Sequence, residues 1–485
     1  MNIKCKNIII PFVICSLFII ASGCGNKSSF SFGDASQTEG KIVKIFASSI
    51  NSNEMLVEQE EIIFQQDFET ENLLINIYPE FQYQKMLGFG AAFTETAAYN
   101  FSLLSPDLQK KLAEAYFGEN GIGYNFCRTH INAADFSIDE YTYVEDGDVE
   151  LKTFNIDRER KYILPMIKAA RKVNPDLWLF ASPWSPPAWM KDNKRVIQGG
   201  HLLPEYYKTW AEYFALYLKE YKKEGIEFFG VTVQNEAKAV QTWESCIWSG
   251  KEEAEWVVDY LRPTLDRKGF GEVKIMVWDH NKERVMERAR ESMSVPGADK
   301  AIWGIAHHWY SGDHFDNLRM AHELYPDKPL LATENSSGGS IIGATNWWNA
   351  VERYAKETIV DFNNFTSAVV TWNMILDQDG GPVHNRSGGS LAPIVVDTNT
   401  KEFTLTSTYY AYGHFSKFIK RGAIRIGSSS YNDVVKAAAF SNPDGEIIVV
   451  VLNTTDKDVT PKIRMNDCTA EFKMPAKSLL TLVIP

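Results

Sequence analysis

Phe228-Phe229-Gly230-Val231-Thr232-Val233-Gln234-Asn235-Glu236 is an apolar run that closes on three polar side chains. A short run of this kind reads as a buried strand whose last residues emerge at an edge. Seven further segments repeat the pattern. They are Met86 to Glu95, Tyr124 to Ile131, Leu177 to Trp184, Val273 to Asn281, Ile302 to Tyr310, Lys328 to Asn335 and Ala368 to Asp377. Helical stretches separate them, and Glu205 to Glu224 is the clearest. Eight strand–helix alternations predict an α/β fold, a (β/α)8 TIM barrel spanning residues 81–419.

Outside that span the periodicity changes. Residues 42–80 alternate apolar and polar in places, as in Leu73-Leu74-Ile75-Asn76-Ile77. From 420 to 485, Ala437-Ala438-Ala439-Phe440 and Ile447-Ile448-Val449-Val450-Val451 flank the turn Asn442-Pro443-Asp444-Gly445. Both flanks read as strands. The expectation is one accessory β-sandwich formed from both chain ends.

The first 24 residues stand apart. Lys4 and Lys6 precede the apolar stretch Ile8 to Ile20, and Ala21-Ser22-Gly23 precede Cys24. This pattern predicts a lipoprotein signal peptide over 1–24, with Cys24 as the lipidation site. Ala21 replaces the Leu usual three residues before such a Cys, and plain signal cleavage is the alternative. Residues 25–41, rich in Ser and Gly, read as a flexible tether. The expected location is the bacterial cell envelope: lipid-anchored at the outer membrane, periplasmic or surface-exposed.

Composition narrows the function classes. Of 485 residues, 45% are hydrophobic and 23% charged, as in a globular protein. Net charge is −12, with no basic block, which argues against a nucleic-acid partner. Cys127, Cys246 and Cys468 are too few and scattered for a disulfide framework, and no zinc-ligand spacing occurs.

Active sites of such barrels lie at the C-terminal ends of the strands. Glu236 closes the fourth run, and Leu330-Leu331-Ala332-Thr333-Glu334-Asn335 closes the seventh. Strands four and seven face each other across a closed barrel, so two carboxylates stand there across the mouth. Glycoside hydrolysis needs such a pair, one protonated and one ionised. The other strand ends add Arg128 with His130 and Asp135, Trp184, Asp279 with His280, and Trp372 with Asn373. That ring of polar and aromatic groups suits a carbohydrate. His307 and His308 are adjacent, so a strand points them to opposite faces. His308 and Tyr310 are assigned to the site, and Trp309 to the His307 side. Arg128 either pairs with a carboxylate at the barrel floor or keeps the nucleophile ionised. Asp279 either orients its neighbours or touches sugar.

Together these residues resemble glycoside hydrolase family 30, the family of glucosylceramidase. The motifs run in order from Gly88-Phe89-Gly90-Ala91-Ala92-Phe93-Thr94-Glu95 and Gly121-Ile122-Gly123-Tyr124 to Asp135-Phe136-Ser137 and Ser182-Pro183-Trp184. Gln234-Asn235-Glu236, His308-Trp309-Tyr310, Thr333-Glu334, Trp372-Asn373 and Gly413-His414-Phe415-Ser416 complete them. The resemblance implies a barrel with a β-sandwich, Glu236 as acid/base and Glu334 as nucleophile. It implies that Asn235 bonds the substrate 2-hydroxyl and that Asp135 and Trp184 hold the terminal glucose. It places His308, Tyr310 and Trp372 around the nucleophile, with Arg128 supporting that carboxylate. Ala237 stands where the family usually has Pro, and Asn335-Ser336 also depart from its common forms. Both departures bear on the aglycone side. Gln241-Thr242-Trp243-Glu244-Ser245-Cys246 either builds an acceptor subsite or packs a loop.

The function so implied is a retaining β-glycosidase acting on terminal β-glucosides, glucosylceramide-like or oligosaccharide, without cofactor or metal. A β-1,6-glucanase or a β-xylosidase would use the same pair. A non-catalytic carbohydrate-binding lipoprotein and a metal-dependent hydrolase are rivals of other classes. The partners expected are a carbohydrate or glycolipid substrate and a membrane held through the lipid anchor, with no obligate protein partner.

Overall fold

The computed structural model describes residues 35–52, 55–68, 73–337, 347–384 and 389–485. The leader, Cys24 and the first part of the tether lie outside the described residues.

The strands that build the sandwich and barrel are, in chain order, β1 (Ile42–Ser49) and β2 (Leu74–Lys85), then eight barrel strands. These are β3 (Gly88–Phe93), β4 (Phe126–Ile131), β5 (Trp178–Pro183), β6 (Gly230–Thr232), β7 (Lys274–Asn281), β8 (Gly304–His308), β9 (Leu330–Glu334) and β10 (Thr366–Asn373). The barrel strands pair in parallel and close in sequence order, β10 against β3. β3 and β4 are buried along their whole length, because helices cover the outside and side chains fill the inside. Close strand approach demands Gly90: a Cβ there would lie 2.0 Å from the Phe126 carbonyl oxygen.

Alternation sets the layers inside the barrel. Phe126, Phe180, Met276, Ala306, Leu331, Ala368 and Val370 form an apolar floor. Truncating a Phe in such a core costs about 3–5 kcal/mol, so the floor is a stiff base for what stands on it. Two residues above Phe126 on β4 comes Arg128, which therefore also points inward.

β1 and β2 join β11 (Ile424–Ser430), β12 (Val435–Ser441), β13 (Ile447–Asn453), β14 (Lys462–Met465), β15 (Cys468–Glu471) and β16 (Ser478–Ile484). The order β1-β16-β13-β12-β11-β2-β14-β15 interleaves the two chain ends in one sheet system, as expected. Two sequence boundaries need correction. β2 continues to Lys85, past the expected break at 80, because its far half still pairs with β11. Residues 35–41 are not tether. Ala35–Gln37 forms a short 3-10 turn, Ala35 packs on the sandwich core, and Thr38 is buried. Among the described residues, Cys127, Cys246 and Cys468 are buried and unbridged, and no helix is long and apolar enough to cross a membrane.

His414 ties barrel to sandwich. It lies on the helix Ser407–Ser416, with Nε2 2.8 Å from Ser48 Oγ on β1 and Nδ1 3.0 Å from Thr481 Oγ1 on β16. Thr481 donates its hydroxyl proton to the His414 carbonyl oxygen, so it accepts from Nδ1–H. The neutral ring is thus satisfied, and burial pushes its pKa down to about 3. The unfolded chain, titrating near 6.5, binds more protons below that pH. Stability is therefore fully present above about pH 6.5 and falls as pH drops toward 3. The expected loss between pH 7 and 5 is roughly 2 kcal/mol from this group. Urea midpoints at the two pH values, for wild type and His414→Gln, check this. An equal pH dependence in both proteins would contradict it.

Candidate active site

A cavity of about 390 Å³ opens at the C-terminal ends of the strands, and both Glu236 and Glu334 line it. Their surroundings differ. Glu334 closes β9, where Oε2 accepts from Arg128 Nη1 at 2.7 Å and Oε1 from the Tyr310 hydroxyl at 2.9 Å. Glu236 follows β6 in a left-handed conformation, φ 48°, held by its N–H on the Asp279 carbonyl at 2.8 Å. Its Oε1 lies 3.4 Å from His308 Nδ1 and 3.7 Å from His280 Nδ1, and its Oε2 is 3.5 Å from the Gln241 amide.

Arg128 is fully buried, where an unpaired cation would be prohibitively costly. Every side of its guanidinium is used. Besides Glu334 it donates to Asn235 Oδ1 at 2.8 Å, Asp279 Oδ2 at 2.6 Å and Ser182 Oγ at 3.1 Å. The Trp184 ring lies 4.7 Å from its centre.

Asp279 joins the two halves of the site. Oδ2 accepts from Arg128 and from Thr232 Oγ1 at 2.7 Å, while Oδ1 faces His308 Nε2 at 3.0 Å and Thr333 Oγ1 at 2.6 Å. Burial opposes its ionisation, but Arg128, His308 and Thr333 outweigh burial and hold the carboxyl well below the ordinary range. Burial likewise opposes the His308 cation, yet Glu334, Asp279 and Glu236 raise its pKa to about 9.

The two glutamates compete for one proton. Taken singly, burial raises both. His308 and His280 then bring Glu236 below the usual value, while the Glu236 charge helps keep Glu334 above it. The donors around the two carboxylates also differ in geometry. Both oxygens of Glu334 are occupied by short donors, one of which, Arg128, cannot accept a proton back. Glu236 has only long contacts, to His308, His280 and Gln241. Glu334 is therefore the firmly clamped carboxylate of the pair, and Glu236 the loosely held one.

Of the residues singled out in the sequence, Asp135, Trp184, Asn235, Tyr310 and Trp372 line the cavity. Trp184 and Trp372 stack, with ring centroids 4.9 Å apart. Arg128 and His308 do not line it. Both are fully buried behind the carboxylates, Arg128 donating to Glu334 and His308 facing Glu236. His307 points away, toward Thr366, and Trp309 stacks on Tyr354 outside the barrel. Trp243 and Gln241 line the cavity, and Trp243 also packs against the buried cluster around Trp184 and Trp372.

Sequence reasoning left Asp279 between orienting its neighbours and touching sugar, and missed the place of His280. Parity from Met276 on the floor would turn Trp278 inward. Instead Trp278 and Asp279 adopt left-handed backbone, φ 76° and 46°, with a register shift against β8. Trp278 swings out to Arg288 and Glu253, and Asp279 turns in. Such strain in non-glycine residues clusters at functional sites. A similar register shift on β9 lets Thr333 and Glu334 both face the interior.

A closed parallel barrel with two glutamates in one mouth cavity has the form of a barrel glycoside hydrolase. Residues 86–419 match the glycosyl hydrolase family 30 TIM-barrel domain, and residues 422–482 match the family 30 β-sandwich domain. The protein belongs to glycosyl hydrolase family 30 and is a glycoside hydrolase. It is 33% identical to the lysosomal acid glucosylceramidase of Mus musculus over 410 residues, 80% of this chain and 78% of that one. The crystal structure of SrfJ from Salmonella typhimurium superposes with a TM-score of 0.88 at 33% identity, covering 91% of this chain and 99% of that one. The endo-β-1,6-glucanase BT3312 gives 0.81 at 29% identity, with the same coverage.

Proposed function

We propose that the protein is a retaining β-glycosidase that removes terminal β-glucosyl groups, with Glu334 as nucleophile and Glu236 as acid/base. The observation that carries this reading is the contrast between two glutamates in one cavity, one clamped by Arg128 and Tyr310, the other loosely held beside imidazoles. In the first step Glu334 attacks the anomeric carbon, the bond to the leaving oxygen breaks, and Glu236 gives that oxygen its proton. In the second step water attacks the same carbon, Glu236 takes its proton, and Glu334 is released. Arg128 occupies Asn235 Oδ1, so Nδ2 is the atom presented to the sugar 2-hydroxyl. Asp135 supplies a carboxylate, and Trp184 a flat face, for the terminal ring.

The likeness to a glucosylceramidase supports a β-glucoside with a lipid or short saccharide leaving group. The fold likeness to an endo-β-1,6-glucanase supports β-1,6-glucan as second reading. β-Xyloside is third. Protein beginning after Cys24 is assayed on aryl β-glucoside, aryl β-xyloside, glucosylceramide and β-1,6-glucan, with Glu334→Gln beside it. Glucose released by wild type alone supports the reading, and the best substrate chooses its branch. Tight saccharide binding with no release from any of them would favour a carbohydrate-binding lipoprotein instead.

The leader pattern supports an envelope lipoprotein anchored through Cys24. In the bacterial host, full-length protein is expected in the membrane fraction, and Cys24→Ala in the soluble one. A variant that stays in the membrane fraction would count against the anchor.

A further inference from the structure

His280 presents an unexplained polar atom. Its Nδ1 is buried and has no hydrogen-bond partner, although buried polar atoms in native proteins nearly always have one. That nitrogen points to within 3.7 Å of Glu236 Oε1, and His308 Nδ1 stands 3.4 Å from the same oxygen. One ligand atom from each of the three residues lies within 4.8 Å of the other two. Donors bound tetrahedrally around a zinc-sized ion stand roughly 3.3–3.6 Å apart, so only a small closure brings these three onto one ion.

We infer that Glu236, His280 and His308 form a binding site for one borderline-soft divalent cation such as Zn²⁺, which competes with substrate. Two imidazoles and a carboxylate are a donor set for zinc, copper or nickel and a poor one for magnesium or calcium. The outer support is already built. His308 keeps Nε2–H on Asp279, itself held by Arg128, Thr232 and Thr333, and this is the carboxylate–histidine pairing common behind metal-bound imidazoles. The ion takes the place of a proton on His308 Nδ1. Glu236 and His280 line the mouth cavity, so an ion reaches them from solvent and keeps an open position toward it. An ion there also removes Glu236 from proton transfer and fills space next to the scissile bond. Inhibition thus rests on the proposed role of Glu236, whereas binding does not.

The test uses chelator-washed protein and ZnCl2. Equilibrium dialysis is expected to give one Zn²⁺ per wild-type chain, and binding weakened at least about tenfold in His280→Ala and in the size-conserving His280→Asn. MgCl2 is expected to show no binding. In turnover assays Zn²⁺ raises KM with kcat unchanged, and EDTA reverses the effect. Zinc bound equally by wild type and both folded His280 variants would place the ion elsewhere and overturn the site. Zinc held at His280 without loss of turnover would overturn the competition. Zinc bound and His280-dependent in a protein inactive on every glycoside would uphold the site and instead remove the proposed role of Glu236.

Discussion

Replacing Glu334 by Gln lowers kcat on an aryl β-glucoside by a factor on the order of 10⁴ or more, while the protein still folds and binds the sugar. The amide is nearly isosteric: its oxygen can still accept from Arg128, which holds the carboxylate at 2.7 Å, while its NH2 faces the Tyr310 hydroxyl at 2.9 Å and donates to it instead. What it lacks is the charge that attacks the anomeric carbon. Arg128 then sits buried with Asp279 as its remaining carboxylate within salt-bridge distance, so some loss of stability accompanies the loss of rate. Turnover by Glu334→Gln within tenfold of wild type would remove the residue from the chemistry.

The second large effect concerns Glu236. In Glu236→Ala, general acid–base assistance worth about 10²–10⁴ is lost. The loss depends on the leaving group. An aryl glycoside that needs no protonation still forms the glycosyl-enzyme, which then waits for a water that no base activates. Azide needs no base and reaches the anomeric carbon from the face that Glu236 occupied, giving a β-glycosyl azide. Cleavage is therefore expected to recover with added azide, and NMR of the product identifies the anomer. Recovery with no β-azide formed would contradict the assignment, as would an equal loss of rate for aryl and alkyl glycosides.

The eight runs legible in the sequence are the eight barrel strands, because a strand buried on both faces must be apolar throughout and must end where solvent begins. The two terminal flanks joined one sheet system for a similar reason: each carries a strand pattern that cannot bury its apolar face alone. Departures from ideal geometry were not legible. The run ending at Glu236 reads as one strand of nine residues, yet the ladder covers only Gly230–Thr232, since the chain must leave it to aim Glu236. Asp279 was left between orienting its neighbours and touching sugar. Its role depends on left-handed turns at two non-glycine residues, which no side-chain pattern announces. Arg128 was readable as a partner of Glu334. Its simultaneous hold on Asp279, Asn235 and Ser182 depends on where three other strands end.

Trapping the intermediate tests the central claim most directly. Protein beginning after Cys24 is incubated with a 2-deoxy-2-fluoro-β-glucoside carrying a good leaving group, then weighed intact and mapped by peptide mass spectrometry. The expected result is one fluoroglucosyl group per chain, attached to Glu334, with activity lost in proportion. Protein that hydrolyses aryl β-glucoside in parallel but carries no adduct, or carries it on another residue, would contradict the account.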